Sequence, residues 1–156
     1  MNRQNNLAVR LELVWWLFTF IVLAGVLIPV HNTTTDYPFW IANSIFVIVF
    51  ITLTRYVFLL RHTFLADKQT LKVVLFFLSI PIVFFLVSQL YYFQTFLDEK
   101  GVESFLQGMP LAKTNRIASF IRTEMMMFGI GSIIIAIIFP FRMLLSYWKW
   151  RNRGVA

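Results

Sequence analysis

The chain has 156 residues, of which 59% are hydrophobic, 18% aromatic and only 13% charged, against about 25% charged in an ordinary soluble domain. With a mean hydropathy of +0.74 and 18 Phe, too little polar side chain remains to cover a water-facing surface, and disorder is excluded by the same composition. The absence of Cys removes disulfides, thiolate metal sites and cysteine nucleophiles together.

Four intervals free of Asp, Glu, Lys and Arg divide the chain: Leu13–Thr35, Tyr37–Thr54, Val73–Leu97 and Met125–Phe141, with lengths of 23, 18, 25 and 17 residues. A helix rises about 1.5 Å per residue, so roughly 20 apolar residues cross a hydrocarbon core of about 30 Å. In such a medium every backbone group must be satisfied within helices or a closed barrel. Barrel strands alternate polar and apolar residues, whereas LVWWLFTFIVLAGVLIPV and VVLFFLSIPIVFFLV are apolar on every side. The spacing predicts helices over 11–30, 39–61, 71–94 and 117–148. The fold class expected is an all-α integral membrane protein, a four-transmembrane-helix bundle in a single domain over 1–156.

The first span follows a basic leader, MNRQNNLAVR, as a cleavable signal peptide does. Its apolar run continues to Val30, longer than a signal core, and is expected to be retained. Spans two and four are short, but apolar residues resume after Arg55 and after Arg142, and an arginine near the interface snorkels to water. Pro81 and Pro140 are expected to kink spans three and four.

With four spans the termini share a side. Ten Lys and Arg fall with the termini and the middle loop (Arg3, Arg10, Arg55, Arg61, Lys68, Lys72, Arg142, Lys149, Arg151, Arg153), against four on the other side (Lys100, Lys113, Arg116, Arg122). The positive-inside rule then puts both termini in the cytoplasm, and a bacterial inner membrane is the expected location. The net charge of +7 follows from this asymmetry and is no signal for nucleic acid, which needs basic residues gathered on a water-exposed face. Trp15, Trp16, Trp40, Trp148 and Trp150 fall near span ends, as interfacial belts require.

Between spans three and four, Val102, Phe105, Leu106 and Met109 recur at helical spacing. They predict a short amphipathic helix on the outer membrane surface, ended by Gly108 and Pro110, with Thr114 or Asn115 capping span four. The run Asn32-Thr33-Thr34 matches a glycosylation acceptor but lies within a turn or so of the bilayer, so the match reads as chance.

Ionisable and polar residues at membrane depth are candidate functional sites because they are costly there. On the inner side, Glu12 and Arg55 lie at a similar level and form a candidate ion pair, with Arg142 as a competing partner; the alternative is that both snorkel separately to water. On the outer side, Asn43, Gln89, Arg122 and Glu124 lie at one level on three helices and form a candidate polar cluster. In span four, Gly129, Ser132 and Ala136 make a small-residue stripe expected to be a packing seam, within the bundle or between copies.

His31 and His62 fall at opposite membrane faces, roughly 30 Å apart, and cannot share a metal. No phosphate-binding loop, dinucleotide turn or nucleophile elbow is present, and no cofactor or metal is expected. The expected function is that of a non-enzymatic subunit or accessory protein of a membrane complex or homo-oligomer, partnered by lipid and by protein through the helix-four seam. The alternative is proton, ion or small-molecule transport through the outer cluster. A third is a lipid-acting enzyme with a cavity lined by Arg122, Glu124 and Tyr91 or Tyr92.

Overall fold

A computed structural model describes residues 3–34, 36–60, 63, 65, 68–106 and 110–152; Arg61, His62, Gly108, Met109 and Arg153 lie outside them. The described residues form four long helices, α1 (Arg3–His31), α2 (Trp40–Leu59), α3 (Gln69–Glu99) and α4 (Leu111–Arg151). Each is long and apolar enough to cross a membrane, so the chain is an all-helical integral membrane protein.

Helices α1, α3 and α4 outrun the expected spans, and α2 lies within its own, because chain chemistry, not bilayer thickness, ends them. At the end of α3 the Lys100 amide donates to the Phe96 carbonyl at 2.9 Å and the Gly101 amide to Leu97 at 3.2 Å. Gly101 then takes a φ of 70°, the left-handed conformation that closes helix ends and that only glycine adopts without strain. At the start of α4, Pro110 occupies the cap position. Thr114, expected as a cap, instead turns back inside the helix, its amide and hydroxyl both donating to the Pro110 carbonyl at 3.0 and 3.3 Å. Both α3 and α4 run on through Pro81 and Pro140 as helix.

Helix α4 is the spine. It packs along both α2 and α3, while α1 leans mainly on α2. The stripe of Gly129, Ser132 and Ala136 sits at the centre of this packing, all three buried. A Cβ at Gly129 would stand 2.8 Å from a Leu90 methyl carbon on α3 and 3.5 Å from the Phe46 ring on α2, and one at Gly131 would stand 2.8 Å from the Phe50 ring. The glycines are therefore what lets these backbones approach. At Gly129 the seam is filled by the chain's own α2 and α3, the first of the two expected arrangements, a packing seam within the bundle.

The outer loop also departs from expectation. In place of a surface helix, Val102–Phe105 forms a 3-10 turn. Val102 and Leu106 are buried in the main core with Val30, Phe39 and Phe93. Phe105 stacks against Tyr37 and Phe96 at ring separations of 5.5 and 6.0 Å, and its carbonyl accepts from the Thr34 hydroxyl at 3.0 Å. Val102, Phe105 and Leu106 turn inward because this end of the bundle supplies an aromatic floor of Tyr37, Phe39 and Phe96 that removes them from water more completely than a membrane surface does.

Candidate functional site

Two buried polar nodes lie near opposite ends of α2, carried by Asn43 and Arg55 and termed outer and inner after the expected topology. Twelve residues separate them, roughly 18 Å along the helix.

At the outer node Asn43 is fully buried and Glu124 is 5% exposed. The Asn43 side-chain amide donates to Glu124 Oε1 at 2.5 Å and to the Tyr37 hydroxyl at 3.3 Å. Asn43 reaches this position because it is one turn into α2, on the side that faces α4, with Ala42, Phe46 and Val47 buried beside it. Two acceptors are left over, since Asn43 Oδ1 and Glu124 Oε2 are buried without a hydrogen-bonding partner among the described residues. Tyr37, in the connection between α1 and α2, is 2% exposed. Burial pushes its phenol well above the ordinary tyrosine range, and the nearby Glu124 carboxylate adds to the effect, against a smaller lowering from the Asn43 hydrogen bond.

The other two members of the expected outer cluster stand apart from this node. Gln89 is half-buried on α3 and Arg122 is exposed; neither hydrogen-bonds to Asn43 or Glu124 among the described residues. Arg122 and Glu124 are two residues apart, about 200° around a helix, so one helix cannot turn both inward. Glu124 is packed against Asn43, Tyr91 and Tyr92 are exposed on α3, and Arg122 lines a separate hollow with Asp98, Asn115 and Ser119.

At the inner node Arg55 and Glu12 form an ion pair in which NH1 donates to Oε2 at 2.7 Å, while NH2 lies 2.6 Å from Oε1 without the geometry of a hydrogen bond. Arg55 is 5% exposed and Glu12 18%, and the guanidinium also lies 5.8 Å from the Trp15 ring and 5.6 Å from the Tyr56 ring. A guanidinium paired with a carboxylate and flanked by rings is how a cation is held at a membrane edge without water on every side. This contact fastens α1 to α2. Arg142 does not compete for Glu12; its Nε donates to the Val57 carbonyl at 2.9 Å, satisfying one of the last carbonyls of α2, which has no acceptor role left within its own helix. Sequence reasoning missed that role because a backbone carbonyl carries no residue-type signal.

The hydroxyls along the helices are mostly self-satisfied. Thr19, Ser44, Ser79 and Ser132 each donate to a carbonyl three or four residues back. On α3, Ser88 is exposed and Gln89 half-buried, and neither has a hydrogen-bonding partner among the described residues.

The chain matches no family model, no curated protein and no solved structure.

Proposed function

We propose that the protein is a non-enzymatic subunit or accessory component of a membrane complex or homo-oligomer, joined to its partner through the outer half of α3, with both termini cytoplasmic in a bacterial inner membrane. The observation that carries this reading is the pair of side chains Ser88 and Gln89. Gln89 lies eight residues inside Leu97, the end of the charge-free interval, about 12 Å by helical rise. An amide at that depth with no partner among the described residues is costly in lipid and is satisfied by a polar group on a neighbouring helix. The exposed rings of Tyr91 and Tyr92 beside it supply contact area with hydroxyls at the same face.

Gentle detergent extraction at native abundance, followed by mass measurement, tests the reading. The expected particle is larger than one chain, and the double variant Ser88→Ala, Gln89→Leu shifts it to the monomer mass while the helical content stays unchanged. A strictly monomeric wild-type particle with no co-purifying protein overturns it.

A second reading, transport of a proton or small cation, is favoured by the two unpartnered acceptors, Asn43 Oδ1 and Glu124 Oε2. It requires a flux in proteoliposomes that Glu124→Gln abolishes; the same flux in wild type and variant removes it.

A further inference from the structure

Where α3 ends and α4 begins its descent, a hollow of about 460 Å³ opens at the outer end of the bundle, within the size range of small-ligand sites. Its floor is apolar, with Val102 and Ala118 buried beneath it, and its rim carries Asp98, Asn115, Ser119 and Arg122. The rim is built by helical geometry, since Asn115, Ser119 and Arg122 fall at i, i+4 and i+7 on one side of α4. Asp98 is brought opposite them by the last turn of α3, just before the left-handed Gly101 sends the chain down into the core.

The rim holds one carboxylate and one guanidinium, and neither Asp98 nor Arg122 has an ion-pair partner among the described residues. Arg122 stands three residues outside Met125, where the last charge-free interval begins, about 4.5 Å by helical rise. That is the level of lipid headgroups. Further in on the same side of α4, Met126 and Ile130 follow one and two turns below Arg122; Ile130 is exposed and Met126 partly so.

We infer that this hollow binds a zwitterionic headgroup made of a phosphate and an ammonium. Arg122 donates to the phosphate oxygens, with Ser119 and Asn115 as further donors, and Asp98 accepts from the ammonium. A guanidinium offers a phosphate two parallel N–H groups, which fixes orientation as well as charge. The carboxylate then selects against a headgroup that is purely anionic. When the ligand is a phospholipid, its acyl chains leave over Met126 and Ile130; when it is a water-soluble phosphodiester, only the rim is used.

The test uses the purified full chain in detergent and native mass spectrometry, with phosphatidylethanolamine, phosphatidylglycerol and glycerophosphoethanolamine as probes. Wild type is expected to retain the ethanolamine lipid in preference to the glycerol lipid. Arg122→Gln should lower occupancy by both lipids about tenfold, the loss of one charged hydrogen-bonding group. Asp98→Asn should abolish the preference while retaining binding. Glu99→Gln, exposed outside the rim, should change neither. Binding of the water-soluble diester at the same concentration as the lipid identifies a soluble source; binding of the lipid alone identifies the bilayer. No binding of either ethanolamine probe, or occupancy unchanged in Arg122→Gln, overturns the inference. Both charged positions are exposed, so the variants fold, and the readout is independent of whether the particle is a monomer or an assembly.

Discussion

Asn43 of α2 and Glu124 of α4 are joined, amide to carboxyl, where the two helices pack together, leaving one buried acceptor on each side chain without a donor among the described residues. The contact is directional, so the two residue types matter as a pair. Asn43→Leu should remove the donors that Glu124 and Tyr37 share and lower thermal stability in detergent, by about 1–3 kcal/mol for a buried acceptor left unmade. Asn43→Asp should be worse, because it sets two acids together. The double variant Asn43→Asp, Glu124→Gln restores one amide and one acid and should recover most of the lost melting temperature. A double variant no better than Asn43→Asp alone refutes the pairing as a source of stability.

At the inner node the two partners differ in exposure, 5% for Arg55 and 18% for Glu12, and the difference sets the order of damage. Glu12→Ala leaves a buried guanidinium unpaired, whereas Arg55→Ala leaves a carboxylate that still reaches water. Glu12→Ala should therefore cost more, on the order of 2–4 kcal/mol against the 3–5 typical of a fully buried pair. The exchange Glu12→Arg, Arg55→Glu should partly rescue either single reversal, measured as folded yield after extraction. Equal costs for the two alanine variants would show that the Trp15 and Tyr56 rings, not Glu12, hold the cation.

The spans are readable because a hydrocarbon medium forbids charge over a fixed length, and that constraint is written directly in the positions of Asp, Glu, Lys and Arg. Level is readable for the same reason, which is why Glu12 with Arg55, and Asn43 with Glu124, fall at matching heights. Rotation is less so. The 200° between Arg122 and Glu124 was available from spacing alone and already says that one faces the core and the other leaves it. Which one was not available, since that depends on where α2 lies. The stripe of Val102 and Leu106 has the same spacing whether it covers lipid or plugs a bundle, and only the aromatic floor contributed by Tyr37, Phe39 and Phe96 decides between them. The end of α3 lies five residues beyond the expected 94, at Glu99, because Gly101 closes the helix by adopting a positive φ, a signal that charge spacing does not carry. The hollow beside Arg122 was not legible, because its wall comes from two helices and the turn between them.

The two glycines of α4 should not be equally tolerant. At Gly129 the nearest obstacle to a Cβ is a Leu90 methyl at 2.8 Å, the far end of a flexible side chain, whereas at Gly131 two ring carbons of Phe50 lie at 2.8 and 2.9 Å. Gly129→Ala should cost little, and Gly131→Ala more, in the range of about 1–3 kcal/mol for overpacking. Gly129→Leu should separate α3 from α4, and Leu90→Ala in the same chain should restore part of the loss by making room. Melting temperatures that rank Gly129→Ala below Gly131→Ala would contradict this packing.

Tyr37 makes stability sensitive to alkali. Its phenol sits in the connection before α2, buried and beside Glu124, and both effects disfavour the phenolate, so its folded pKa lies above the unfolded value. The unfolded phenol titrates near 10. Because the folded value is the higher one, the stabilisation is fully present below pH about 10 and is lost as pH rises beyond it, when the unfolded chain releases a proton that the folded chain retains. Tyr37→Phe forfeits the hydroxyl that accepts from Asn43 at 3.3 Å and should melt somewhat lower at pH 8. Above pH 10 its melting temperature should fall less steeply than that of wild type, so that the two curves converge. Parallel curves through pH 11 would mean that the phenol reaches water in the folded state and that the outer end of the bundle is open rather than sealed by Phe105 and Leu106.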